Sequence, residues 1–164
     1  MSGARRLYFL RHGLADRSAY TGTDDRLRPL TPDGIARMEA EGRAMSRLDL
    51  SCERILTSPL TRCLQTAEIA ADALGLTGSL RVEPSLACGF GPDDLPPLLE
   101  THADCRALML VGHEPDFSWI VSSLTGGADL VFKKGSLARV DLHPGEGLSG
   151  SLVWLLPPKI LALD

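Results

Sequence analysis

Three short apolar runs each break off at a cation, an imidazole or a hydroxyl and pass toward a helix, and this recurrence limits the fold more than any other feature of the chain. Leu7 to Leu10 ends in Arg11-His12-Gly13. Arg54-Ile55-Leu56-Thr57 leads into Ser58-Pro59, and Ala107 to Val111 ends at Gly112-His113. Apolar runs this short, bounded by turn residues, read as buried strands. Helical patterns lie between them. Thr31 is placed to cap a helix, Pro32 suits its first position and Asp33 complements its positive end. Ile35, Met38, Gly42 and Met45 fall on one side of that helix, and Arg37, Glu41 and Arg43 on others, predicting an amphipathic helix to about Leu48. Ser58-Pro59 repeats the cap-then-proline signature and predicts a helix through Leu74, closed by Gly75.

The remaining segments are weaker. Leu80 to Glu83 reads as a third strand, Cys88 to Pro97 as a loop, and Leu95 to His102 as a helix. Pro115 to Leu124 reads as a helix stopped by Gly126-Gly127, and Leu137–Leu142 and Leu152–Leu156 as two late strands. Ala15 to Arg28 is polar and reads as a surface loop. Strands alternating with helices predict an α/β domain, a mostly parallel sheet with helices on both faces. With 164 residues, 44% hydrophobic, the chain suits one domain, 1–164, with its core at about 7–156.

Charge and cysteine content exclude several classes. A net charge of −4 argues against a sequence-independent nucleic-acid binder, which needs a basic face. The basic stretch Met1 to Arg6 is followed by only four apolar residues before Arg11, so no signal-peptide core is expected. No run approaches membrane-spanning length. Cys52, Cys63, Cys88 and Cys105 form no C-x-x-C pair, so neither a zinc site nor a disulfide framework is expected. The expectation is a soluble, cytoplasmic protein.

In open α/β sheets ligands sit beyond the carboxyl ends of the strands. If the three strands are neighbours, Arg11, His12, Arg62 and His113 converge on one crevice. Arginine's planar fork suits phosphate oxygens, a neutral imidazole can attack phosphorus, and a protonated one can stabilise developing charge. Gly13 would let the backbone approach a ligand closely, and Gly112 the same beside His113. Taken singly, each residue has a plainer reading. His12 can be a hydrogen-bonded histidine at a strand end, His113 a cap or hydrogen-bonding group at the start of its helix, Arg11 a surface arginine beside a buried strand, and Arg62 an exposed helix residue pairing with Glu68 or with nothing. The coincidence of all four at strand ends favours a phosphate site.

Leu10-Arg11-His12-Gly13, Thr57-Ser58-Pro59 with Arg62 and Thr66-Ala67, and Val111-Gly112-His113-Glu114-Pro115 together resemble the histidine phosphatase (phosphoglycerate mutase-like) superfamily. The resemblance runs in order from Leu7 to about Leu156. It implies a phosphoglycerate mutase-like fold, a phosphohistidine intermediate on His12, and phosphoryl binding by Arg11, Arg62 and His113, with Gly13 and Glu114 in the same site. It implies no cofactor and no metal.

Within the superfamily, Arg28-Pro29-Leu30-Thr31-Pro32-Asp33-Gly34, the short length, and Gly135-Ser136-Leu137-Ala138-Arg139-Val140 resemble the compact SixA-type phosphohistidine phosphatases, which carry no large lid insertion. The usual mutase-type glutamate segment is missing. Glu83, Asp93, Asp94 and Glu114 remain candidate acids, each with the plainer reading of a solvated carboxylate. An alkoxide leaving group needs a delivered proton. A phosphorylated imidazole can leave as neutral imidazole, so phosphohistidine on a signalling or phosphotransfer protein is the expected substrate. A small-molecule phosphomonoester, or a phosphate-binding module without turnover, are the alternatives. Lys133-Lys134 reads either as an attractor of an acidic partner or phosphate, or as an exposed turn.

Overall fold

The computed structural model describes residues 4–163; Met1 to Gly3 of the basic N-terminal stretch, and Asp164, lie outside the described residues. Among the described residues six strands form one sheet: β1 (Arg6–Arg11), β2 (Arg54–Thr57), β3 (Leu80–Val82), β4 (Ala107–Gly112), β5 (Leu137–Leu142) and β6 (Gly150–Leu156). Their order is β3-β2-β4-β1-β5-β6. The pairings β3–β2, β2–β4 and β4–β1 are parallel, while β1–β5 and β5–β6 are antiparallel, so the sheet is mixed with a parallel core.

Five helices among the described residues cover it: α1 (Pro32–Arg47), α2 (Thr61–Leu74), α3 (Leu95–Thr101), α4 (Asp116–Leu124) and α5 (Pro158–Leu161). Alternation along β1 decides which residues face which layer. Leu7 and Phe9 join the cluster under α3 and α4, with Leu98, Leu99, Phe117 and Ile120. Tyr8 and Leu10 join the cluster under α1, α2 and α5, with Met38, Met45, Ala67, Ala70 and Leu161. Helices therefore cover both faces.

Local chemistry explains most element ends. Thr31 Oγ1 accepts from the Gly34 N–H at 3.0 Å, the side-chain cap expected of it. Gly75 closes α2 in the left-handed region at φ 68°, which only glycine adopts without a Cβ penalty. The start of α2 departs from expectation. The helix begins at Thr61, with Leu60 at the cap and no side-chain cap bond; the Ser58 hydroxyl lies against His113 Nε2 at 2.8 Å and accepts from the Leu60 N–H. Two short 3-10 turns interrupt stretches read as loops, at Asp25–Leu27 and Pro92–Asp94. The tail helix α5 was not anticipated; it follows Pro157 and is too short to carry a periodic signal.

Glu41 is the clearest correction inside an element. Its place on the polar side of α1 predicts exposure, yet it is 2% exposed. A Cβ at Gly135 would come within 2.6 Å of Glu41 Oε1, so the turn before β5 covers that flank of α1.

Candidate active site

Strand register brings the two histidines together. Arg11 pairs with Gly112 across the parallel β1–β4 ladder, so His12 and His113 are the next residue on each strand. The His12 N–H then donates to the Gly112 carbonyl at 3.1 Å. Their ring centroids lie 5.6 Å apart. Chain direction also reverses here: α1 leaves β1 toward β2 on one face, while α4 leaves β4 toward β5 on the other. That is the crevice where ligands of open α/β sheets bind. Thr57 pairs with Val111 and the Ser58 N–H donates to the Val111 carbonyl at 3.0 Å, which sets Ser58 beside His113.

A cleft of about 260 Å³ opens at this point, lined by Arg11, His12, Arg62, His113 and Glu114 together with Arg28 and Lys134. His12, Arg62 and His113 are 6%, 5% and 3% exposed. His12 Nδ1 sits 2.8 Å from the Gly13 carbonyl. A carbonyl only accepts, so Nδ1 carries the hydrogen, and the neutral ring keeps a lone pair on Nε2. Burial first, then the cations Arg62 and Arg11 and the second histidine, hold the His12 pKa down at about 3; the Gly13 bond opposes them. Burial, Arg62 and Arg11 likewise lower His113 to about 4. Both rings are thus neutral near pH 7 in the free site. A bound phosphoryl group, being anionic, would raise the basicity of His113.

The two arginines are held but not saturated. Arg62 Nη1 donates to the Asp25 carbonyl at 3.0 Å and lies 3.4 Å from the Asp25 carboxylate, so its acidic partner is Asp25. Arg11 Nη1 donates to the Phe132 carbonyl at 2.7 Å. The Nε of each guanidinium is buried without a partner. Buried donors are ordinarily satisfied, so two orphaned N–H groups beside one cleft mark room for an acceptor.

Gly13 and Gly112 have packing roles that the sequence did not suggest. A Cβ on Gly13 would meet Met38 Cγ at 2.6 Å, and one on Gly112 would meet Phe117 Cζ at 2.7 Å. The Gly13 N–H is taken by Thr66 Oγ1 at 3.0 Å, so this amide is not free for a ligand. Glu114 lines the cleft, but its carboxylate accepts from the Ser118 N–H at 2.9 Å and the Ser118 hydroxyl at 2.8 Å. The other candidate acids are engaged elsewhere or exposed. Glu83 accepts from the Ser85 hydroxyl, Asp94 accepts from the Gly91 N–H, and Asp93 is exposed.

Four contributors escaped the sequence reading. The Ser58 hydroxyl lies 2.8 Å from His113 Nε2 and accepts from the Leu60 N–H at 3.3 Å. Cys63 Sγ lies 3.5 Å from the same Nε2. Asp25 buttresses Arg62 and accepts from Arg28 Nε at 2.9 Å; Arg28 also donates to the Ala15 carbonyl. The Arg28 hydrogen bond holds the Asp25 carboxyl below its usual value. Thus the polar segment Ala15 to Arg28 folds over the cleft and supplies part of its charge. The R-P-L-T stretch was a signal for Arg28; nothing local marks Asp25. A neutral imidazole with a free lone pair, flanked by guanidinium groups with spare donors, can attack a phosphoryl group and hold its charge. Among the described residues no three His, Cys, Asp or Glu side chains gather as metal ligands, and no helix is long and apolar enough to cross a membrane.

Comparison with known proteins agrees with this fold. Residues 7–87 match the family model of the histidine phosphatase superfamily (branch 1). An uncharacterised protein of Picosynechococcus sp. is 37% identical, the match covering 92% of this chain and 99% of the relative. The chain belongs to the histidine phosphatase superfamily. It is similar to the phosphohistidine phosphatase SixA of Escherichia coli, at 28% identity over 93% of each chain. It also superposes on a solved structure of the protein histidine phosphatase SixA complexed with tungstate, with TM-score 0.82 and 25% identity over 94% of this chain and 97% of the other. These relatives indicate a phosphatase.

Proposed function

We propose that this protein hydrolyses phosphohistidine on a signalling or phosphotransfer protein through a phosphorylated His12. The observation that carries the reading is the fixed tautomer of His12, with Nδ1–H on the Gly13 carbonyl and Nε2 free beside two unsaturated guanidinium groups. In the first step the Nε2 lone pair forms a bond to phosphorus, and the bond from phosphorus to the leaving nitrogen breaks. If the substrate ring is already protonated, it leaves as neutral imidazole and no enzyme acid is needed. In the second step water attacks the phosphorylated His12, inorganic phosphate departs, and Nε2 regains its lone pair. Arg11 and Arg62 hold the phosphoryl oxygens, and His113 donates to the charge that develops on them. Gly13 positions His12, and Glu114 borders the phosphate without serving as the acid. The domain acting this way is the whole of 1–164, and the chemistry needs neither cofactor nor metal.

A second reading, a small-molecule phosphomonoesterase, is favoured by Glu114, the one candidate acid that lines the cleft. Purified protein incubated with phosphohistidine-bearing proteins and with sugar phosphates, in the presence of a chelator, separates the two. Turnover of the phosphoproteins is expected. Turnover of sugar phosphates alone would reject the leading reading, and dependence on added magnesium would reject the metal-free chemistry.

A further inference from the structure

A second cavity of about 1060 Å³ lies beside the His12 cleft and shares Arg11 and Lys134 with it. Leu14 and Met38 form one wall, and Pro157, Pro158, Ile160 and Leu163 of the C-terminal segment form the other. Ile160 and Leu163 are 53% and 64% exposed, so this wall is apolar surface left open. The size lies at the upper limit of the range of about 300–1,000 Å³ typical of small-molecule sites.

Polar groups in this space are few and of one kind. Lys133, Lys134, Lys159 and Arg37 line it, and of these Arg37 is paired with Asp33 at 2.9 Å. Among the described residues, Glu41 is the only acidic one of the lining. It is 98% buried as a residue, counting from its 2% exposure, and its Oε2 has no hydrogen-bond partner. Burial pushes its carboxyl up to about 8, against the opposing pull of Arg37, so near pH 7 it is mostly the neutral acid. A neutral carboxyl is a donor, and a buried donor without an acceptor is a group for a ligand to satisfy. Three ammonium groups around a neutral acid leave the described lining of the cavity net positive, although the chain as a whole carries −4.

We propose that this cavity binds an apolar organic anion, with its hydrocarbon body against Pro157, Pro158, Ile160 and Leu163, its anionic head near Lys133, Lys134 and Lys159, and Glu41 donating to it. Charge complementarity selects the anion, and the open apolar wall selects the hydrocarbon body. A cationic ligand would face three lysines, and a small inorganic anion would leave the apolar wall uncovered. The site is independent of the phosphohistidine reading, since it requires no turnover.

Calorimetric titration of the full chain at pH 7 with decanoate, and with decanol as the same tail without charge, tests this. Saturable decanoate binding at one site is expected, with decanol at least about tenfold weaker. Lys159→Glu and Ile160→Asp, both at exposed positions, should each weaken decanoate at least about fivefold with unchanged thermal stability. Glu41→Leu removes the donor and should weaken it about tenfold, whereas Glu41→Gln keeps a donor and should stay within about twofold. His12→Ala should bind decanoate like the unmodified chain, so a failed catalytic reading leaves this result standing. No saturable decanoate binding, equal affinity for decanol, or unchanged affinity in Ile160→Asp would each overturn the proposal.

Discussion

At the scale of single residues, the site depends on hydrogen bonds that decide which nitrogen is available. His12 is committed through Nδ1 to the Gly13 carbonyl, and His113 through Nε2 to the Ser58 hydroxyl. Ser58 is therefore expected to act through His113 and not on the substrate. Ser58→Ala should lower kcat/KM about fivefold, the equivalent of one lost hydrogen bond at about 1 kcal/mol, with the fold intact. Steady-state kinetics check this, and Ser58→Thr, which restores a hydroxyl, should recover most of the rate. An unchanged rate in Ser58→Ala would remove it from the site. Arg11, His12, Arg62 and His113 were legible in the sequence because each stands at a strand-to-helix junction, where local pattern and ligand position coincide. Ser58 was legible only as a helix cap, and Asp25 not at all. Their partners, His113 and Arg62, lie 55 and 37 positions away.

Among the elements, strand and helix positions were largely readable from period and punctuation, and the failures have specific causes. The cap-then-proline pattern at Ser58-Pro59 was genuine local chemistry that tertiary structure put to another use. Glu41 followed the polar side of α1 by periodicity, but the turn before β5 packs on that side. Gly34 gives an element-scale prediction of counterintuitive sign. Alanine within a helix ordinarily stabilises by about 1 kcal/mol relative to glycine. At Gly34 a Cβ would stand 2.1 Å from the Leu14 carbonyl oxygen, which also accepts from the Thr31 N–H at 3.0 Å. Gly34→Ala should therefore destabilise by about 1–3 kcal/mol, the cost of overpacking against backbone. Chemical denaturation measures it, and a stabilised variant would show that the Leu14–Thr31 contact gives way freely.

For the whole molecule, the sheet order explains why dispersed residues meet: placing β4 between β1 and β2 is what gathers the three junctions, and that order cannot be read from any one segment. The buried ionisable groups also give stability a pH dependence whose sign follows from linkage. His12 and His113 have folded values of about 3 and about 4, below the ordinary 6.5. Between those values and pH 6.5 the unfolded chain binds more protons, so stability falls as pH is lowered through that window. Glu41 acts in the opposite sense. Its folded value of about 8 exceeds the ordinary 4.5, so the folded state holds the extra proton, and stability falls as pH rises from 4.5 toward 8. Denaturant unfolding across pH 4 to 8 should show a loss on the order of a few kcal/mol from pH 6.5 to pH 4. Glu41→Gln should flatten the decline on the alkaline side. Rising stability on acidification to pH 4 would mean that the histidines are not held neutral.

The phosphorylated His12 is open to direct observation. Purified protein mixed rapidly with a phosphohistidine-bearing protein labelled with radioactive phosphate, then quenched in alkali, should carry label that survives base, is lost in acid, and maps to His12. The His12→Ala variant should carry none. Turnover by the unmodified chain without label on His12, or undiminished turnover by His12→Ala, would show that phosphate leaves by another route.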